Sequence, residues 1–427
     1  MGEIDNAFPW YAAAPSEIRR ERATLSLGLL PAVRHFAELV VPGLGRTWFV
    51  RQLSWAVSGL KLSREARDGS AHAPTLCALG IEALACKRAW AAGVAKDRII
   101  GSRAFHRDRD AQDSWTFEAL TRREHYVLNS YRSGTVRALL SEPPGPGRVP
   151  GLGLAKGRRF SSMVLTPTGD ELASAFLEQR AGRPTLEALL VRWMEGTPLP
   201  DRSPGLLRAL RPDCATQKEK ALVAERLLRV DSDSARRRLA VSRILIAHQE
   251  VPELSAVAGA LRRSRHEEQA VEVELAASFG EMLGCAQSVI GAATRSLETR
   301  PSMTASELVR RASVQKALRN LTEASRDYGK RHDRAHGTGH VAAKQLVAAV
   351  DGRSGAELLE HLVRRDGQIV RLADSGAIQP GPLYRTMFDA SESTDDATDP
   401  DSRGGGRTFG VANLHSLVHD IGGRFVA

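Results

Sequence analysis

The chain has 427 residues, 42% of them hydrophobic and 5% aromatic, with four cysteines and a formal net charge of +10. That length and apolar content are ample for a buried core and suggest two or three domains, while abundant Ala, Leu and Arg beside few aromatics argue for helices and against an all-β fold. Cys77, Cys86, Cys214 and Cys285 show no Cys-x-x-Cys spacing, so no zinc knuckle or redox pair is indicated, and the charge balance favours polyanionic partners, nucleic acid first.

The first residues, Met1-Gly2-Glu3-Ile4-Asp5, are acidic and short of apolar side chains, unlike a signal peptide. No window holds about 18 uninterrupted apolar residues. The most hydrophobic stretch, 33–60, is broken by Arg34, Glu38, Arg46 and Arg51. A cytoplasmic protein without a membrane partner is expected. Residues 1–115 read as an N-terminal helical domain. Ser16, Arg19 and Arg20 open a first helix; Val33, Phe36, Ala37 and Val40 repeat at helical spacing until Pro42-Gly43. After Gly45 a second helix gathers Trp48, Phe49, Leu53, Val57 and Leu60 on one face, with Arg46 and Arg51 off it. A third runs over 74–92 and stops at Gly93.

Residues 116–182 differ in texture. Short helical patterns over 117–128 and 130–140 precede a Gly/Pro-rich stretch, and Phe160 to Leu165 has a strand-like mix. Thr166 is a good N-cap and Pro167 fits the first helical position. The segment Leu165-Thr166-Pro167-Thr168-Gly169 resembles the Leu-Thr-Pro-x-Gly stretch that leads from the wing into a C-terminal helix in many winged-helix regulators. The resemblance implies a wing tip at Lys156-Gly157-Arg158-Arg159 and a recognition helix carrying Asn129, Ser130, Arg132, Ser133, Thr135 and Arg137. The candidate DNA-binding residues are therefore Asn129, Arg132, Arg137, Lys156, Arg158 and Arg159, since Arg and Asn make bidentate contacts and cations suit a phosphate backbone.

Residues 183–388 return to helical patterns: 184–196, then 218–229 with 234–249 as a pair, then a long pattern over 253–297 that reads as one helix or two, in which Gly259, Gly280, Gly284 and Gly291 are candidate breaks or close-packing points. Thr304-x-x-Glu307 is a capping box. Residues 389–407 are an acidic, Gly-rich linker, and Val411, Leu414, Leu417, Val418 and Ile421 in the final segment, 408–427, have the helical spacing of a docking element. The expected architecture is a mainly α, multi-domain protein with one embedded winged-helix-like module.

No catalytic motif emerges. There is no Walker loop, no dinucleotide fingerprint, no Gly-x-Ser-x-Gly elbow and no kinase set, so neither enzymatic activity nor a cofactor is expected. His332, His336 and His340 recur every four residues, but Gly337 and Gly339 interrupt the helix and Lys330, Arg331 and Arg334 would repel a cation; no metal is assigned. Glu267, Glu268, Glu272 and Glu274 read as a solvated helix face. Three basic runs remain as candidate polyanion surfaces: Arg236-Arg237-Arg238, Arg262-Arg263 with Arg265, and Arg310-Arg311 with Lys316 and Arg319.

Finally, Gly28-Leu-Leu-Pro-Ala-Val-Arg34 with Phe36-Ala37-Glu38, then Val41-Pro42-Gly43, Thr47 to Arg51 and Ser54-Trp55, followed by Glu82-Ala-Leu and Ile99-Ile100-Gly101, is similar to the start of an uncharacterised bacterial family associated with anti-phage and mobile gene clusters. The likeness covers about 24–105 and assigns no residue a role. It implies a defence-type complex with helicase or nuclease partners. The reading is a DNA-binding accessory subunit of such a complex; the alternative is a protein-interaction scaffold of the same complex that does not touch DNA.

Overall fold

Side-chain oxygens start many of the helices. Among the described residues, Thr116, Ser130, Thr166, Thr185, Ser203, Thr216, Ser232, Thr304 and Ser354 each accept a hydrogen bond from the backbone N–H three residues on, meeting one of the four donors a helix start leaves unpaired. Thr216, Thr304 and Ser354 complete capping boxes with Glu219, Glu307 and Glu357.

The computed structural model describes residues 27–65, 72–108, 115–122, 125–127, 129–142, 150–200, 203–229, 232–335, 339–384 and 408–422. They are mainly helical. In chain order come α1 (Leu30–Val40), α2 (Val50–Glu65), α3 (Pro74–Ala91), α4 (Ser102–Arg107), α5 (Phe117–Thr121) and α6 (Tyr131–Leu139). A two-stranded sheet of β1 (Ala155–Lys156) and β2 (Val164–Leu165) follows. Next are α7 (Pro167–Leu177), α8 (Leu186–Met194), α9 (Pro204–Leu210), α10 (Gln217–Leu228), α11 (Asp233–Leu245), α12 (Leu254–Arg263), α13 (Glu267–Thr299), α14 (Ala305–Val309), α15 (Ala312–Arg334), α16 (Val341–Asp351) and α17 (Gly355–Asp366). A second antiparallel pair, β3 (Val370–Leu372) and β4 (Ile378–Pro380), precedes α18 (Val411–Ile421).

Several sequence expectations meet a different outcome. Arg51, expected off the apolar face of α2, is fully buried. The 117–128 pattern yields a helix that stops at Thr121, after which Arg122 is extended. The 253–297 pattern is two helices, and the break falls at Arg265, held at φ +62°, while Gly259, Gly280, Gly284 and Gly291 stay inside helices. Glu272, expected on a solvated face, is buried and pairs with Arg237. The expected helix near Ser16 and the linker at 389–407 lie outside the described residues.

Two apolar cores result. The larger draws on residues from Leu27 to Ile421 and centres on α13, with Phe36 stacked on Phe279 at 4.5 Å between ring centres and Tyr328 and Phe409 alongside. The smaller runs from Trp48 to Leu210 and is aromatic: Phe49 meets Trp55, Tyr131 and Trp48 edge-on, and Phe117 meets Trp193. α2 faces both cores. The last helix is part of the main core, as its Val411, Leu414, Leu417, Val418 and Ile421 are all buried there.

Candidate nucleic-acid interface

The β1–β2 hairpin is built by a small set of close approaches. Ala155 pairs with Leu165 and Lys156 with Val164. Gly157 turns the chain at φ +118°, and a Cβ there would lie 3.1 Å from the Ser162 carbonyl oxygen. Phe160 and Met163 are buried and anchor the return of the loop, which leaves Lys156, Arg158 and Arg159 outside and exposed. The Leu165 to Gly169 segment locks the hairpin to α7. The Thr166 hydroxyl donates to the Gly153 carbonyl at 2.8 Å and accepts from the Gly169 N–H at 3.2 Å, and the Thr166 N–H donates to Leu154 O at 3.0 Å. A Cβ on Gly169 would sit 1.9 Å from that same Leu154 oxygen, so glycine is required at this crossing.

α6 is held at both ends. Glu82 of α3, fully buried, receives the Tyr131 N–H at 2.7 Å, the Arg132 N–H at 2.8 Å and the Tyr126 hydroxyl at 2.9 Å. Burial pushes its carboxyl up to about 7, against the pull of those three hydrogen bonds. Near the other end, Arg137 forms a two-pronged ion pair with Glu38 of α1, at 2.8 and 3.0 Å, and Glu38 also accepts the Gly43 N–H. Tyr131, Thr135, Ala138 and Leu139 are buried.

No protein-family model, curated protein or solved structure matches the chain. Of the six residues singled out in the sequence, Lys156, Arg158, Arg159 and Asn129 are exposed. Arg137 is engaged by Glu38, and its side chain is 15% exposed. Arg132 is half-buried with its guanidinium 5.3 Å from the centre of the Phe160 ring, so it props the hairpin loop against the first turn of α6. Burial lowers the Arg132 pKa, an effect the Glu82 charge opposes. α6 thus offers little of the open face that a recognition helix needs to enter a groove, and of the six residues the hairpin cations and Asn129 remain accessible.

The other sequence candidates scatter. His332 lies near the end of α15, whereas His340 caps α16 by accepting the Ala342 N–H, so the two share no helical face; His336 is outside the described residues. Arg238 is buried and donates to the carbonyls of Pro42, Pro150 and Gly151. Arg262 is tied to Glu267 and Glu274. Among the described residues no helix is long and apolar enough to cross a membrane.

Sequence reasoning missed two features. One is the buried pair of Arg51 and Glu219, 3.5 Å apart, where Arg51 also donates to the Ala209 and Cys214 carbonyls and Ser54 donates to Glu219 at 2.6 Å. The other is a cavity of about 570 Å³ beside α18, lined by Trp48, Arg98, Lys220, His415, His419 and Asp420. Both join residues far apart in the chain, which local spacing does not reveal.

Proposed function

We propose that the chain is a DNA-binding accessory component of a bacterial anti-phage complex, acting without chemistry of its own beside a helicase or nuclease. In this reading α5, α6, the hairpin and α7 work as a winged-helix-like module whose wing, not its helix, touches DNA. The observation that carries the reading is the hairpin turn with Lys156, Arg158 and Arg159 all exposed. Such cations contact phosphates and carry no base readout, so the expected binding is weakly sequence-selective and strongly salt-dependent.

The test is duplex binding by the full chain at about 50 and 200 mM salt. K156E/R158E/R159E should abolish most of the binding and flatten the dependence of log K on log salt by about 2–3, at ~0.9 per lost phosphate contact. Unchanged affinity in that variant rules the hairpin out. The scaffold reading has an observation of its own in its favour: Arg137 and Arg238 serve the fold instead of a ligand. A wild-type chain that retains no duplex yet assembles with its partner proteins would establish that alternative.

A further inference from the structure

Of the three basic runs in the sequence, two are largely engaged internally. Arg236 pairs with Asp233, Arg237 with Glu272, Arg238 with backbone carbonyls, and Arg262 with Glu267 and Glu274. The third run continues along α15 and is different. This helix buries Val314, Ala317, Leu318, Leu321, Ala324 and Tyr328 against the core. Its opposite face exposes Lys316, Arg319, Arg326 and Lys330, preceded by exposed Arg310 and Arg311. Among the described residues no carboxylate lies within ion-pair distance of those four side chains.

At ~100° and ~1.5 Å per residue, Lys316, Arg319, Arg326 and Lys330 fall within an arc of roughly 80° and span about 21 Å of helix axis. Glu323 is the one acid of the helix inside that arc; Asp327, just beside it, is held by Arg331 at 2.8 Å. A strand of duplex DNA advances about 3.4 Å per phosphate, so the row matches roughly six phosphate positions. Unpaired strands are held by rings stacked on bases. Among the described residues the exposed large apolar side chains are Leu30, Leu76, Val164, Val251 and Val341, none of them aromatic.

We propose that the exposed face of α15 is a phosphate-backbone contact for double-stranded nucleic acid, made by Lys316, Arg319, Arg326 and Lys330 without base readout. It shares its class of partner with the hairpin reading but rests on a different element and different observations. The face is rigid, because the same helix carries core residues along its length, so it presents its cations without the ordering cost of a loop.

The experiment uses the full chain and a labelled DNA duplex of about 30 base pairs, titrated between roughly 50 and 200 mM salt. Three proteins are compared: wild type, K316Q/R319Q/R326Q/K330Q, and the hairpin variant K156E/R158E/R159E. The quadruple change removes only exposed groups, and circular dichroism with a melting curve checks that the fold is kept; the double change R319Q/K330Q serves as a milder form. The quadruple variant should bind at least tenfold more weakly, with the salt slope reduced by about 3–4, and the double variant by about half that slope. Binding within twofold of wild type would overturn the proposal, as would absence of duplex binding by wild type or tighter binding to a single strand of equal length. If the α15 variant weakens and the hairpin variant does not, this inference stands and the hairpin reading falls; the reverse result sinks this inference alone.

Discussion

Glu82 sets burial against hydrogen bonding within one carboxyl group. Loss of solvent disfavours its charge, three donors favour it, and the balance leaves it up at about 7, above its ordinary 4.5. A raised folded-state pKa means that the folded chain holds the proton more tightly than the unfolded one. Its contribution to stability is therefore complete below about 4.5 and is lost as the pH climbs through 7. The fall from this group amounts to about 3 kcal/mol. Urea unfolding at pH 5 and pH 8 should show it in the wild type, and E82Q, neutral throughout, should be flatter over that window; equal pH dependence in both proteins would refute the assignment. The same residue shows the limit of reading arginines by sign. Lys156, Arg158 and Arg159 flank a glycine turn and are exposed, as their local pattern implies. The fates of Arg132 and Arg137 depend on Phe160, Glu82 and Glu38, and Glu38 lies 99 residues away from Arg137, so no local window contains the answer.

At the scale of elements, what was legible follows local chemistry. The Thr304 capping box, the Thr166 cap with Pro167 behind it, and the stop of α3 before Gly93 at φ +67° all depend on residues a few positions apart. The division between α12 and α13 falls at none of the candidate glycines, because it is made by Arg265 in a left-handed conformation, a state that glycine would enter more cheaply. Tertiary packing decided that point, with Leu261 of α12 and Ala270 of α13 both fully buried either side of the corner. Packing also explains Arg51. It lies at the junction of α2, α7, α9 and α10, over the Phe176 ring and against Glu219, with both charges shut away from solvent. R51M would strand a carboxylate in the interior and should cost about 3–5 kcal/mol in denaturant unfolding. R51M/E219L removes both charges and should recover part of that loss. A double variant as unstable as the sum of the two single changes would show that the charges do not act as a pair.

At the scale of the molecule, the two cores interleave early and late sequence, and α18 is the clearest case. Asp420 accepts the Val50 N–H at 2.8 Å, which caps α2, and pairs with Arg98 at 2.6 Å. D420A removes the acceptor of the Val50 N–H and the nearest carboxylate of Arg98, which keeps Asp97 and the Pro212 carbonyl, so a loss of about 1–3 kcal/mol is expected. Hydrogen exchange should then quicken together in the first turn of α2 and along α18. Loosening confined to α18 would mean that the two elements are not coupled through this carboxylate.

That tie between Val50 and Asp420 crosses 370 positions of sequence. A ribosome adding roughly 5–20 residues per second takes about 20–70 s to travel that distance. Until residues 411–421 have been made, the Val50 N–H lacks the carboxylate it donates to and the apolar surface that α18 covers stays open, so this corner of the core closes only after most of the chain has been synthesised.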